Sequence, residues 1–366
     1  MGVRKTTELS FGRDFADVHS FDSIVFATRA TGLLYSLLKV ENYVSPSKTK
    51  VLLPSITCTS LVHSCLAAGM KPIFYECVES DLNGDPRSVI DLLLKYRDEL
   101  ALLVAVHQFG NWNDSREIFA LAASLGIRTL EDRCQLLNPE LPDQDADYVL
   151  FSFGATKTLD CQAGAALCSK RNGTQLPFSD ISKTIDEDFN LASPELAQSY
   201  RADWYKFNGD NGFLDITSRN SLFQKYKMYL LWGAEKIDFE QISARWNLIN
   251  QLNGARKSMS LNFESKFKNI EQLKTHTNNS SFSVPWRYVV SLPSLEIRDK
   301  VVINLRGASL HVSTWYTSLK LGFPSLGEKS NTAVDQISTR LLNFWVDENT
   351  YENYVEDVAK ILRNNL

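Results

Sequence analysis

The sequence predicts an α/β protein: a large, mainly parallel sheet with helices on both faces, followed by a small C-terminal α/β domain. Three observations carry that expectation. Between about residues 25 and 170, short apolar runs alternate with helix-length segments, as strand–helix–strand units do. Between Pro194 and Pro285 the chain has no proline and is rich in Lys, Glu, Leu and aromatics, which suits long helices. The 366 residues suffice for roughly two domains of about 150 each.

Val51-Leu52-Leu53 reads as a strand, Cys58 to Ala68 as an apolar-periodic helix, and Gly69 as its stop. Pro72 to Tyr75 is the next strand. Pro86 to Leu94 has helical spacing with a proline in its first turn. Leu102 to Val106 is β-rich, Arg116 to Ser124 helical, and Gly126 precedes the strand Ile127 to Leu130. Tyr148 to Phe151 and Ala165 to Leu167 complete the sheet. Two helices are expected at Leu222 to Trp232 and Phe239 to about Phe267, the second long enough to bridge two lobes. Residues 274–282 read as a surface loop. Beyond them, Trp286 to Ser291 and Leu310 to Ser313 are expected as strands, and Leu295 to Arg306, Thr332 to Leu342 and Tyr351 to Leu362 as helices. The division is therefore 1–240 for the large domain and 241–366 for the bridging helix and small domain.

Hydrophobic residues at 44% and charged residues at 22% supply a core and exclude a disordered chain. The net charge of −4 gives no overall attraction to phosphate backbones or anionic lipid, which disfavours nucleic-acid binding. No apolar run approaches the roughly 18 residues of a membrane span, and the polar start Met1 to Thr7 does not read as a signal peptide. Cysteines at 58, 65, 77, 134, 161 and 168 lack the spacing of a disulfide framework or a zinc site, so no metal is expected and the protein reads as reduced and cytoplasmic.

The informative segment is Thr129 to Lys170. Leu130-Glu131-Asp132 ends a strand, Gln135 follows, and Phe151-Ser152-Phe153-Gly154-Ala155-Thr156-Lys157 sets a lysine in a short loop before Ala163-Gly164-Ala165-Ala166. Open α/β sheets bind ligands where strands end. A carboxylate and a lysine, each just past a strand, suit pyridoxal phosphate chemistry: the lysine forms a Schiff base with the aldehyde, and the carboxylate pairs with the pyridinium nitrogen. Taken singly, each has a plainer reading, the lysine as a solvated residue and the aspartate as a helix cap.

Their order resembles the DegT-type aminotransferases, fold type I pyridoxal-phosphate enzymes that mostly act on nucleotide-linked keto sugars. The resemblance runs through Val51-Leu52-Leu53-Pro54-Ser55-Ile56-Thr57, Ala68-Gly69-Met70-Lys71-Pro72-Ile73-Phe74, Val106-His107-Gln108-Phe109-Gly110, Glu131-Asp132-Arg133-Cys134-Gln135 and Phe151-Ser152-Phe153 to Lys157. It is thinner at Val284-Pro285-Trp286-Arg287-Tyr288 and Trp315-Tyr316. The resemblance implies Lys157 as Schiff-base lysine and proton shuttle and Asp132 at the pyridine nitrogen. It further implies Gln135 at the ring hydroxyl, Ser152 at the phosphate, and Ala30 and Thr31 in the phosphate turn that Arg29 to Gly32 would form. Cys58 falls where the family places an aromatic residue against the cofactor ring. The plainer reading of the turn is a helix start, and His107 reads as a satisfied histidine at a strand end.

The resemblance also implies a homodimer with shared active sites, although the family's partner-subunit loop is matched poorly by Gly233 to Asp238; Trp232, Trp246 and the stretch Tyr205 to Tyr229 could cover an interface. The implied activity is amino transfer from an amino acid, glutamate being the expected donor, to a nucleotide-linked keto sugar through a pyridoxamine intermediate. Two alternatives stand beside it: a pyridoxal-phosphate lyase, dehydratase or transaminase on another small molecule, and a non-catalytic cofactor- or sugar-binding relative. A related dehydratase branch has histidine where this chain has Lys157, which favours transamination.

Overall fold

The computed structural model describes residue 15 and residues 21–169, 178–210, 216–326, 332–347 and 353–366; the start Met1 to Thr7 lies outside them. Seven strands form the large sheet: β1 (Ser23–Ala27), β2 (Lys50–Pro54), β3 (Lys71–Tyr75), β4 (Leu100–Val106), β5 (Arg128–Asp132), β6 (Tyr148–Ser152) and β7 (Ala165–Ser169). Their spatial order is β1-β7-β6-β5-β4-β2-β3. Strands β6, β5, β4, β2 and β3 are parallel neighbours. Strand β7 runs antiparallel to both β1 and β6.

Every residue of β4 is buried, as a parallel sheet covered on both faces requires. Alternate side chains divide between the faces. Val51, Leu53, Leu102, Val104 and Val106 lie in one core with Leu33 and Leu37 of the helix Ala30–Val44 and Leu61 of the helix Thr59–Ala67. Leu52, Leu103 and Ala105 lie in another with Val89 and Leu93 of the helix Pro86–Lys95 and Phe119 of the helix Arg116–Ser124. Each large aliphatic side chain so buried contributes about 1.5–3 kcal/mol. Local signals agree: the Asp85 carboxylate accepts from the Arg87 amide at 3.1 Å, with Pro86 opening the helix.

The remaining large helices are Phe178–Asp188, Pro194–Asp210 and Ile216–Trp232. The single helix expected over Phe239 to Phe267 is two, Phe239–Trp246 and Ile249–Phe267, because the backbone leaves helical geometry at Leu248 (φ −99°, ψ 6°). The break lets both pieces follow the sheet: Ile242, Trp246, Ile249 and Leu252 share a core with Phe151 and Phe153. Farther along the second helix, Phe263 and Phe267 enter a different core with Tyr288, Val290, Leu305 and Phe344. That core backs a small antiparallel sheet of β8 (Lys274–Thr275), β9 (Arg287–Ser291) and β10 (Leu341–Trp345).

Three expectations need correction here. Leu310 to Ser313 is no strand; only Ser313 forms a bridge, to Asn343. The helix expected over Thr332 to Leu342 stops at Ser338, and Leu341 and Leu342 belong to β10, where pairing with Ser291 and Val290 overrides local helical spacing. Trp232 and Trp246 are 1% and 8% exposed within this chain, so they fill its cores and do not cover an interface. Of the stretch Tyr205 to Tyr229, the side chains of residues 205–221 lie outside those described, whereas Tyr226 and Tyr229 are buried.

This topology gathers one edge of the large sheet. Ala27 at the end of β1, Ser152 at the end of β6 and Ala165 at the start of β7 lie side by side in register. The end of β5 joins them, Asp132 pairing with Leu150.

Candidate active site

A cavity of about 620 Å³ opens at that edge, and Lys157, Asp132, Gln135, Ser152, Ala30, Thr31 and Cys58 all line it. Every site residue expected from sequence is therefore brought to one place.

Asp132 is 5% exposed. Its Oδ1 accepts from the Cys134 amide at 2.8 Å. Burial pushes its carboxyl up, and the hydrogen bonds from Cys134 and the charge of Lys157 offset that only in part. Among the described residues no cation pairs with it within ion-pair distance. A buried carboxylate with no cation in direct contact is costly, and a protonated ring nitrogen in the cavity would supply one.

Lys157 stands on the loop between β6 and β7. A turn closes beneath it, its amide donating to the Gly154 carbonyl (3.1 Å) and its carbonyl accepting from the Asp160 amide (3.0 Å). Its Nζ lies 4.7 Å from the centre of the Trp286 ring. Two residues of the loop are held in left-handed backbone, Thr156 at φ 68° and Asp160 at φ 48°. For a β-branched residue such as Thr156 that is a strained conformation.

The other cavity-facing groups follow from how strands hand over to helices. Ala30 and Thr31 begin the helix Ala30–Val44, whose N-cap residue Arg29 makes no side-chain cap bond and whose first turn has no acid. Free amides and a positive helix end at that point suit a phosphate. Gly32 lies so close to the Trp232 ring that a Cβ would overlap it. Gln135 accepts from the Phe109 amide through Oε1 at 2.7 Å, which leaves its amide N–H groups as donors. Ser152 is half-buried at the end of β6. Cys58 is the N-cap residue of the helix Thr59–Ala67, and its Sγ accepts from Ser60 Oγ at 3.0 Å.

His107 and Glu131 stand behind the cavity. His107 Nδ1 accepts from the Asn113 amide at 3.0 Å, so Nε2 carries the proton it shares with Glu131 at 2.9 Å, and the ring stacks on Trp112. Burial alone would raise Glu131, but Arg133 and His107 outweigh it and hold the carboxyl below the usual range.

The structure adds residues that sequence reasoning did not place here. Tyr316 lines the cavity and bonds to Cys58, and burial pushes its phenol well up. Its ring stacks with Trp286 (6.4 Å, 12°) and Phe109 (5.6 Å, 30°). Tyr200, Phe223 and Tyr229 supply a further wall from the helices after residue 190. Phe223 stacks on His63 at 4.0 Å, and the Arg29 guanidinium lies 4.5 Å from the Tyr229 ring. Trp286 and Tyr316 fall within matched motifs, which was a signal; the helical wall gave none.

Residues 5–174 match the model of the DegT/DnrJ/EryC1/StrS aminotransferase family. The cofactor of that family is pyridoxal phosphate, and the carboxylate, lysine and anion turn found here fit it. The fold is that of the fold type I aminotransferases. The aminotransferase TlmJ from Streptoalloteichus hindustanus is 16% identical with a TM-score of 0.73, over 98% of this chain and 90% of that one. Helicobacter pylori PseC, an aminotransferase of pseudoaminic acid biosynthesis, is 13% identical with a TM-score of 0.73, over 98% and 91%. An Escherichia coli GDP-4-keto-6-deoxy-D-mannose-3-dehydratase with bound hydrated pyridoxal phosphate is 12% identical with a TM-score of 0.69, over 97% and 91%. At such identities the likeness is one of fold. No curated protein matches the chain in sequence. Among the described residues, no helix is long and apolar enough to cross a membrane.

Proposed function

We propose that this member of the DegT/DnrJ/EryC1/StrS family moves an amino group from an amino acid, glutamate being the expected donor, to a nucleotide-linked keto sugar. The observation that carries the reading is that Asp132 and Lys157 line one cavity at the carboxyl edge of the sheet, with no cation within ion-pair distance of Asp132 among the described residues. When bound, pyridoxal phosphate supplies an aldehyde for amine exchange and a ring that draws electron density from the carbon bearing the nitrogen. Asp132 would hold a proton on the ring nitrogen. Lys157 Nζ would be the amine that holds the cofactor's aldehyde carbon and, when free, the base placed to move the proton at the substrate carbon. Gln135 would donate to the ring hydroxyl, while Ser152 and the amides of Ala30 and Thr31 would hold the phosphate. Cys58, which lines the cavity, would face the ring. The protein works as a cytoplasmic homodimer with shared sites, and 1–240 and 241–366 are its two domains.

Support for a sugar acceptor comes from the family and from the H. pylori relative's role in pseudoaminic acid biosynthesis. Dehydration, the chemistry of the E. coli relative, is the second reading; the lysine at 157 favours transamination. The test is the absorption spectrum of the purified protein with added pyridoxal phosphate. A visible band is expected that is absent in Lys157→Ala, and excess glutamate should convert it to the shorter-wavelength band of the amine form. A band indifferent to every amino acid would favour the second reading. Absence of any band overturns the assignment of Asp132 and Lys157.

A further inference from the structure

Resting on that reading, we propose that Trp286 is a positioning residue for Lys157: a clamp from the small sheet that holds the lysine loop in its strained form and seats the ammonium. Trp286 stands immediately before β9, is 1% exposed and is not among the residues that line the cavity. Three contacts tie it to the site. Its backbone amide donates to the Phe109 carbonyl at 2.8 Å, beside the amide that Gln135 accepts from. Its indole Nε1 donates to the Thr156 carbonyl at 2.6 Å, across 130 positions of sequence. Its ring face lies 4.7 Å from Lys157 Nζ, within the range of a cation–π contact.

The need for a clamp follows from the loop itself. Thr156 is exposed, yet its backbone is left-handed, a conformation that persists only where its surroundings over-determine it. Two bonds do so here: Asp160 Oδ1 accepts from the Thr156 amide at 2.5 Å, and Trp286 takes the carbonyl. Of these, only Trp286 reaches from outside the loop. The same indole thus fixes the residue before Lys157 and faces the lysine's charge. Since it is carried by the small sheet, it also makes placement of Lys157 depend on how that sheet seats against the large one.

The experiment compares the full chain with Trp286→Phe, which keeps a ring but loses the donor, by amide hydrogen exchange without cofactor and by steady-state kinetics. Exchange over residues 154–161 should rise about tenfold while the helix Leu295–Gly307 and strand β9 stay within twofold. With cofactor, kcat should fall while KM for the amino donor stays within twofold. Unchanged exchange in the loop, or an equal rise throughout the small sheet, overturns the clamp. Should the variant not fold, the indole N–H of Trp286 in 15N-labelled wild type serves instead. Its proton should be exchange-protected and its resonance should move in Lys157→Met; a rapidly exchanging or unmoved resonance overturns the clamp. A normal cofactor spectrum with no exchange effect refutes the clamp alone, whereas the exchange effect in a chain that gives no spectrum refutes the proposed function and leaves the clamp standing.

Discussion

Replacing Glu131 by glutamine removes the charge that organises the floor behind Asp132. Glu131 is 1% exposed and accepts from Arg133 at 2.8 and 2.9 Å, from His107 at 2.9 Å and from Gln144 at 2.8 Å. Glutamine has the same size but turns two acceptor lone pairs into N–H donors aimed at donors, and it strands Arg133, itself 4% exposed. Breaking a buried pair on one side costs about 3–5 kcal/mol, so the urea midpoint of the full chain should fall accordingly with an unchanged slope. The pH dependence gives a second readout. Glu131 is held below its ordinary value of 4.5 in the folded chain. Its contribution is therefore complete above about that pH and is lost as pH falls toward the folded value. The gap between wild type and Glu131→Gln should be constant from pH 7 to 5 and then narrow. A loss below about 1 kcal/mol at pH 7, or a gap that ignores acid, would show that the reasoning about this cluster is wrong.

Asp132→Asn should have opposite effects on stability and binding. Because burial raises its carboxyl, the charged form is disfavoured in the cofactor-free fold, and neutralising it should stabilise that form by about 0.5–2 kcal/mol at pH 7. Its affinity for pyridoxal phosphate, read by titrating the visible band, should fall. Gly110 sits at φ +89°, and a Cβ there would overlap the Val284 carbonyl and come within 2.6 Å of the Trp286 nitrogen. Gly110→Ala should therefore cost more than about 1 kcal/mol by chemical denaturation. Phe263 is fully buried and stacks on Tyr288 and Phe344; Phe263→Ala should cost about 3–5 kcal/mol, measured as a lowered denaturation midpoint.

The legibility of the molecule in its sequence follows the range of the forces involved. Strands β2 to β6 were readable because each is a short apolar run bounded by turn residues, and burial on both faces leaves no polar alternation to blur them. Asp132 and Lys157 were readable because one ends its strand and the other stands in the short loop after the next. Strand β1 was harder: four of its five residues are only half-buried, and its place is set by pairing with β7, far along the chain. The end of the helix at Ser338 was hidden for the same reason, since what stops it is the partnership of Leu341 and Leu342 with β9. Tyr200, Phe223 and Tyr229 reach the cavity from helices without a plain amphipathic stripe in sequence, so only tertiary structure assigns their faces.

The reversed direction of β7 has a mechanical consequence. Parallel strands need a crossover, so Thr28-Arg29 after β1 and Ser55 to Cys58 after β2 run straight into helices and travel with them. Within the large sheet, among the described residues, only the lysine loop joins consecutive strands that are antiparallel neighbours, and both of its ends are bolted to adjacent strands at Ser152 and Ala165. Slippage of a covering helix would thus displace the proposed anion-holding end of the pocket while the amine end keeps its seat on the sheet. Softening of this protein, by heat or by substitution in the outer layers, should release an anion before it loosens the lysine's footing.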